Sequence, residues 1–340
     1  MTNSAPATNG EKASPLNPDQ SMAALAADLH SNPVFTRANV FTALFAGASY
    51  TLSGVLVAIL LFLLWHGGRG LSLDFIFSRA SPTSDVAAYG TAGVFDMLYG
   101  TICLVALMIL AVMPVGIITG VYLCEYTDPK STLARITRSA VNNLAGVPSI
   151  IFGMFGLGFF IYFLGGSIDS YLLGSAAPVF KKPSLLWAAL TLAVLTLPVV
   201  IVSTEQALRA VPRAFRDAAL GLGATKAQTL VKVVLPQAAP GIITGGILAV
   251  SRGAGEVAPI MLTGATIFSP TLPGSLTDKF MELSYHIYIM CTQPAHVEAG
   301  RAQLYSTVVV LLFLTFFLNV AAIVVRAWAR RFMRRMSANI

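Results

Sequence analysis

The stretch DAALGLGATKAQTLVKVVLP, from Asp217 to Pro236, lies between two apolar runs that are each long enough to cross a membrane. Apolar residues recur at helical spacing after Pro212, which suits the first turn of a helix, so a short amphipathic helix is predicted there. Thr225 followed by Gln228 is a capping-box pattern, which predicts a second helix that ends at Pro236. The stretch is therefore predicted to form a helix, a turn and a helix between two spans.

The composition places these elements in a membrane protein. Hydrophobic residues make up 56% of the 340 positions and charged residues only 11%, whereas charged residues are about 25% of a soluble domain. Because the apolar runs are continuous rather than alternating, helices are favoured over barrel strands. An all-α integral membrane protein is predicted, with six spans at roughly 43–65, 99–123, 144–164, 185–204, 240–264 and 304–325.

The basic residues predict the orientation of these spans. With both termini in the cytoplasm, the inner segments hold 15 of the 22 Lys and Arg residues, the outer segments hold six, and Arg252 lies within a span. Positive loops are retained on the cytoplasmic side, so this assignment is self-consistent. The net charge of +7 then reflects topology, and a soluble basic face for nucleic acid is not indicated.

Three regions are predicted along the chain. Residues 1–38 are rich in Ala, Ser, Asn and Pro and are expected to form a disordered cytoplasmic arm, not a cleavable signal. Residues 39–331 form the six-helix transmembrane domain, which includes a cytoplasmic loop at 205–236. Residues 332–340 form a basic cytoplasmic tail.

Two predicted spans share the pentapeptide GIITG, at Gly116–Gly120 and Gly241–Gly245. Glycines four residues apart lie on one face of a helix and let a second backbone approach closely. Close helix packing at both sites is therefore predicted, and a hinge role is the less favoured alternative.

The fifth predicted span contains SRGAGEVAPIMLTG, in which Arg252 and Glu256 are four residues apart and are expected on one helical face. Either charge alone at mid-membrane costs roughly 2.5 to 3.5 kcal/mol, so the two are expected to pair and to face the protein interior or a wet cavity. The pair is interpreted either as a structural ion pair or as part of a pathway for an oxyanion, whose geometry matches the donors of an arginine.

The spacing of the quoted stretch resembles the EAA loop of bacterial ABC-importer permeases, with Asp217 and Val233 in place of the usual Glu and Ile. The resemblance implies that the loop docks on a separate cytoplasmic ATP-binding subunit. It assigns this coupling role to Asp217, Ala218, Ala219, Gly223, Leu235 and Pro236. The chain lacks a glycine-rich phosphate loop ending in Gly-Lys-Ser or Gly-Lys-Thr, so it is interpreted as a subunit that does not hydrolyse ATP.

Several motifs together resemble the A-type permease subunit of the phosphate-specific ABC importer. They are EY at Glu125–Tyr126, NNLAGVPSIIFGMFGLG from Asn142, the SRGAGEVAPIMLTG segment, QPAHVEAGRAQLY and LLFLTFFLN. Val257 stands where a threonine is expected in that subunit. The resemblance implies a six-helix permease of the type I importer class in the bacterial inner membrane, without a cofactor. It also implies a heterodimer with a C-type permease, ATP-binding subunits and a periplasmic phosphate-binding protein.

Other functions are weighed against this interpretation. A permease for sulfate or molybdate is the nearest alternative, because sequence alone does not choose among oxyanions. An ion-coupled secondary transporter is less favoured, because inverted internal repeats are not evident. An intramembrane hydrolase is disfavoured because all four histidines lie outside the predicted spans, and the three cysteines do not have metal-site spacing.

Overall fold

The computed structural model describes residues 33–79, 93–128, 130–174, 178–292 and 301–338. Within these ranges the chain is helical almost throughout, and the β-type pairing consists of one isolated bridge between Ala265 and Phe280. The chain divides into two compact units. The first extends to Phe62 and includes most of the first described helix, and the second begins at Leu63 and contains the later helices.

Twelve α-helices lie in the described ranges, and three of them continue into π-helical turns. The helices are α1 (Pro33–Gly67), α2 (Leu73–Phe77), α3 (Phe95–Val121), α4 (Thr132–Leu144), α5 (Ser149–Phe155), α6 (Leu185–Arg209), α7 (Arg213–Gly221), α8 (Lys226–Thr229), α9 (Leu235–Gly253), α10 (Ala258–Thr263), α11 (Leu283–Thr292) and α12 (Arg301–Ala338). π-Helical turns extend α3 through Tyr122–Tyr126, extend α5 through Gly156–Gly165 and Ile168–Leu173, and join α8 to α9 through Leu230–Val234.

Six of these helical segments are long and apolar enough to cross a membrane, which confirms the predicted all-α architecture with six spans in the described part of the chain. They are Val40–Gly70, Phe95–Tyr126, Ser149–Tyr171, Leu185–Arg209, Lys226–Gly253 and Gln303–Trp328. The protein is therefore a multi-pass membrane protein.

At both ends of the transmembrane domain, the helices extend beyond the predicted domain boundaries. Helix α1 begins at Pro33, which lies inside the predicted arm of residues 1–38, and residues 1–32 lie outside the described ranges. Helix α12 continues to Ala338, so it includes most of the predicted basic tail.

The fifth span differs most from the prediction. The cytoplasmic loop predicted at 205–236 is called the polar loop below, and its second helix was expected to end at Pro236. Instead, α8, the π-helical turn and α9 form one continuous helical segment from Lys226 to Gly253. Pro236 lies in the first turn of α9, where a missing backbone N–H costs little. The π-helical turn just before it accommodates the change in hydrogen-bond register, so the proline does not stop the helix.

Helix α6 forms the buried centre of the second unit, since two thirds of its most apolar stretch is inaccessible to solvent. Both GIITG motifs pack against it. A methyl group added at any motif glycine would come within 2.8 Å of a side-chain atom of α6. The four pairs are Gly116–Val200, Gly120–Thr204, Gly241–Ala207 and Gly245–Ser203. The prediction of close packing is thus confirmed, and α3 and α9 approach α6 through the two copies of the motif.

The connection between the fifth and sixth spans enters the core, which the sequence did not predict. Phe280 is fully buried among residues of α3, α6 and α9. Glu282 is also buried, and its Oε2 accepts a hydrogen bond of 2.7 Å from the backbone N of Tyr285 at the start of α11. Thr101 Oγ1 of α3 lies 3.5 Å from Glu282 Oε1 and accepts from the backbone N of Leu283. Removal from water is the main cause that raises the pKa of Glu282 to about 7.

Substitutions at the motif glycines should destabilise the protein by overpacking. We expect Gly116→Ala and Gly245→Ala each to cost about 1–3 kcal/mol, because the added methyl group meets the α6 side chains Val200 and Ser203. The measurement is the thermal unfolding midpoint in detergent. Gly158→Ala is the matched control, because a methyl group there meets no atom within 4 Å. Equal midpoints for the three variants would contradict the packing described for α6.

Stability should also depend on pH through Glu282. Its folded-state pKa is raised from 4.5 to about 7, so its stabilising contribution is complete below pH 4.5 and is lost as pH rises toward 7. The expected slope is about 1.4 kcal/mol per pH unit. Glu282→Gln should flatten the dependence of the unfolding midpoint between pH 5 and 7, since an amide does not titrate. An unchanged slope in this variant would show that Glu282 is not the titrating group.

Candidate functional site

The polar loop forms the predicted helix, turn and helix. Helix α7 starts directly after Pro212, and Asp217 and Ala218 are exposed on it while Ala219 is half-buried. The apolar side chains of this helix are also exposed: Phe215 is about half accessible and Leu222, at its C-terminal end, is 90% accessible. An amphipathic helix with its apolar side open is suited to contact with a partner.

Gly223 produces the turn between the two helices. Its φ of +84° lies in the left-handed region, which glycine adopts without a steric cost. The backbone N of Gly223 donates to Leu220 O, and the N of Ala224 donates to Ala219 O. These two bonds are those of a Schellman motif, which ends a helix with glycine at this position. The glycine at this position of the EAA-like spacing is therefore explained by the left-handed backbone conformation of the turn.

The second helix begins with the predicted capping box. The Thr225 hydroxyl accepts from the backbone N of Gln228, and the Gln228 side chain accepts from the backbone N of Thr225. Leu230 and Val234 are buried on its inner side, while Leu235 and Pro236 are half-buried and belong to α9. The polar loop is thus joined to the fifth span without a break.

The two predicted pathway residues are adjacent in space but are not on one helical face. Arg252 Nε and Glu256 Oε1 are 3.4 Å apart, which confirms the predicted pairing. Helix α9 ends at Gly253, however, and Glu256 lies in the non-helical link before α10. The expectation of a continuous helix through both charges was wrong, because the chain turns at 254–257 and resumes as a short helix.

The link between α9 and α10 is held by a residue that the sequence did not point to. Ser284 of α11 donates its hydroxyl hydrogen to Ala254 O at 3.0 Å. Helix ends leave backbone carbonyls without a partner within the helix, and such groups need one inside a membrane protein. Gly153 of the third span packs against the start of α10, where an added Cβ would lie 2.9 Å from Pro259 Cα.

The ion pair lies at the surface of the subunit. The Arg252 side chain is 38% accessible and that of Glu256 is 19% accessible. The prediction placed both charges in an interior or a wet cavity, and in the single subunit they lie on one of its faces. Such charges at membrane depth require a polar or protein-lined environment on that face.

A further polar residue joins this group. Ser251, next to Arg252, has its hydroxyl oxygen 2.6 Å from Asn319 Oδ1 of the last span. In the sequence, Asn319 stands out only as an amide at the end of the apolar run LLFLTFFLN. Two neighbouring polar pairs, Ser251–Asn319 and Arg252–Glu256, therefore lie at the C-terminal end of α9, and these four residues are named the polar face of the candidate pathway.

The continuous helix connects the two predicted sites, which are otherwise separate. The segment from Lys226 to Gly253 comprises 28 residues, so its ends are about 40 Å apart at 1.5 Å per residue. The polar loop lies at its start and Arg252 at its end. A single helix therefore connects the polar loop to Arg252.

Comparison with known proteins shows to which family the chain is similar. Residues 112–338 match the family described as binding-protein-dependent transport system inner membrane component. The chain is 33% identical over 239 residues to the phosphate transport system permease protein PstA 1 of Mycobacterium tuberculosis, covering 70% of this chain and 72% of that protein. It is 31% identical to the probable ABC transporter permease protein YqgI of Bacillus subtilis over 74% of this chain and 82% of that protein.

Solved structures show the same fold at low sequence identity. A bacterial alginate ABC transporter, solved with its alginate-bound periplasmic protein, aligns with a TM-score of 0.56 at 15% identity, covering 89% of this chain and 96% of that chain. The MetNI methionine ABC transporter aligns with a TM-score of 0.51 at 19% identity, covering 68% and 94%. The architecture is that of type I ABC-importer permeases, and the chain belongs to the binding-protein-dependent transport system inner membrane component family.

Proposed function

We propose that this protein is the transmembrane permease subunit of an ATP-driven importer that moves inorganic phosphate across the bacterial inner membrane by alternating access. The observation that carries the proposal is the 33% identity to a phosphate transport system permease over most of both chains. Phosphate permeases of Mycobacterium leprae and Haemophilus influenzae are similar at 32% identity, which favours phosphate over sulfate or molybdate.

The chemistry of the polar face suits an oxyanion. The guanidinium of Arg252 presents a planar set of donors that matches phosphate oxygens. Glu256, 3.4 Å away, offsets part of that attraction, so that a passing anion is bound but not retained. Ser251 and Asn319 add neutral polar groups beside the charges. Because this face is open in the single subunit, a second permease is needed to enclose the pathway.

The expected partners follow from the two surfaces. A C-type permease would cover the open face with Arg252 and complete a heterodimer. Cytoplasmic ATP-binding subunits would receive α7 and the turn at Gly223, whose exposed apolar side chains need a partner, and would hydrolyse ATP. A periplasmic phosphate-binding protein would deliver the substrate on the other side. The permease itself is non-catalytic and needs no cofactor or metal.

The orientation in the membrane has both termini in the cytoplasm. The supporting observation is the excess of Lys and Arg in the polar loop, in α4 and at the end of α12, compared with the outer connections. This places the coupling loop and the ATP-binding subunits on the same side.

Arg252→Gln should reduce ATP-dependent uptake of labelled phosphate into proteoliposomes containing the complete complex. A hydrogen bond to a charged group contributes about 1.5–3 kcal/mol, so its loss predicts a decrease of the uptake rate of about 10- to 100-fold. Arg135→Gln, at an exposed arginine of α4, is the matched control and should transport normally. Undiminished uptake by an assembled Arg252→Gln complex would contradict the role of this arginine. If unlabelled sulfate competed with labelled phosphate as well as unlabelled phosphate does in the wild type, the assignment of phosphate as the substrate would be contradicted.

A further inference from the structure

The pair Glu125–Tyr126 contacts both helices of the polar loop from the end of the second span. Arg216 Nη2 of α7 donates to Glu125 Oε1 at 2.8 Å. Lys226 Nζ at the start of α8 lies 5.1 Å from the centre of the Tyr126 ring, which is the geometry of a cation–π contact. Two adjacent residues of one span therefore reach the helix on each side of the Gly223 turn.

The guanidinium of Arg216 joins three elements at once. In addition to Glu125 it donates to two backbone carbonyls, that of Leu208 in the last turn of α6 at 2.8 Å and that of Val211 just beyond the helix at 2.7 Å. A planar guanidinium holds several acceptors in fixed directions, which the single ammonium of a lysine does not. Arg216 thus fixes α7 to the end of the fourth span and to the end of the second.

Burial and packing show why this ion pair matters at the junction. The side chains of Arg216 and Glu125 are 18% and 15% accessible, so solvent screens the interaction less than it screens a surface pair. Beside them lies a cavity of about 100 Å³, lined also by Leu220, Thr229 and Val234. The Arg216–Glu125 pair is thus a partly buried polar contact between α7 and the second span.

The position of these contacts relates them to the movement of the loop. Glu125 lies in the π-helical turn Tyr122–Tyr126 that extends α3, and π-helical turns are frequent at functional sites. Helix α3 in turn packs on α6 through Gly116 and Gly120. A displacement of α7 would therefore act on two spans at their cytoplasmic ends, in addition to the direct path through the fifth span.

We propose that Glu125 and Arg216 are positioning residues for energy coupling, which transmit the movement of α7 to the second and fourth spans, with Tyr126 and Lys226 as the equivalent contact for α8. This inference rests on the proposed function, in which α7 docks on an ATP-binding subunit. It predicts that breaking the Glu125–Arg216 pair separates ATP hydrolysis from transport rather than abolishing both.

The test measures phosphate uptake and ATP hydrolysis on the same proteoliposomes containing the complete complex. Glu125→Gln and Arg216→Lys should lower the amount of phosphate transported per ATP hydrolysed about fivefold or more, while ATP hydrolysis persists. Asp128→Asn is the matched control, since Asp128 is an exposed carboxylate three residues away whose side chain bonds to the backbone of its own loop. Its ratio should equal that of the wild type.

The readout distinguishes coupling from a merely structural contact. If the pair only stabilises the fold, uptake and hydrolysis decrease in proportion to the amount of assembled complex and the ratio stays constant, which overturns the inference. Glu125→Gln keeps the number of non-hydrogen atoms in the side chain, so this variant is expected to assemble. It decides the question if Arg216→Lys assembles poorly. A decrease of the ratio in Asp128→Asn as large as that in Glu125→Gln would also overturn it.

The wild-type complex separates this inference from the proposed function. Absence of ATP-dependent phosphate uptake in the wild type would refute the function itself. Coupled uptake in the wild type together with unchanged ratios in Glu125→Gln and Arg216→Lys would refute only the role of the Glu125–Arg216 pair.

Discussion

A backbone that crosses lipid must satisfy its own hydrogen bonds, and this constraint makes the segment from Lys226 to Gly253 one continuous helix. Pro236 and Pro240 each remove a donor from this helix, yet the chain does not break at either of them. The π-helical turn at Leu230–Val234 and the position of Pro236 in the first turn of α9 absorb the loss. The result is a helical connection between a loop exposed to a partner and the polar face with Arg252.

The helix ends where another part of the chain supplies a hydrogen-bond donor for a backbone carbonyl that has no partner within the helix. Beyond Gly253 the carbonyl of Ala254 accepts the Ser284 hydroxyl hydrogen, so α11, two helices later in the chain, supplies the hydrogen-bond donor at the break. The ion pair of Arg252 and Glu256 lies at this break, on a face of the subunit. Around it, α3 and α9 contact α6 through glycines, which let the helix backbones approach closely.

The sequence predicted those features that depend on neighbouring residues. The six spans, the close approach at the GIITG motifs, the capping box of Thr225 and the special role of Gly223 all follow from local composition, spacing or backbone preference. The break after Gly253 was not predicted, because helical periodicity continues through it and Ser284 lies 30 residues away. The stop expected at Pro236 was wrong because the π-helical turn at Leu230–Val234 keeps the helix continuous there. The contacts of Asn319 and Arg216 were not predicted either, because their partners are distant in the sequence.

The most direct test of this account is the accessibility of a cysteine placed at Gly255, an exposed position between Arg252 and Glu256 with open space around it. Cys103, Cys124 and Cys291 are replaced, and the complete complex is labelled in vesicles with a membrane-impermeant thiol reagent from either face. The account predicts labelling from the cytoplasmic face without nucleotide and from the periplasmic face when ATP is bound but not hydrolysed. Labelling that does not change faces with ATP would contradict it.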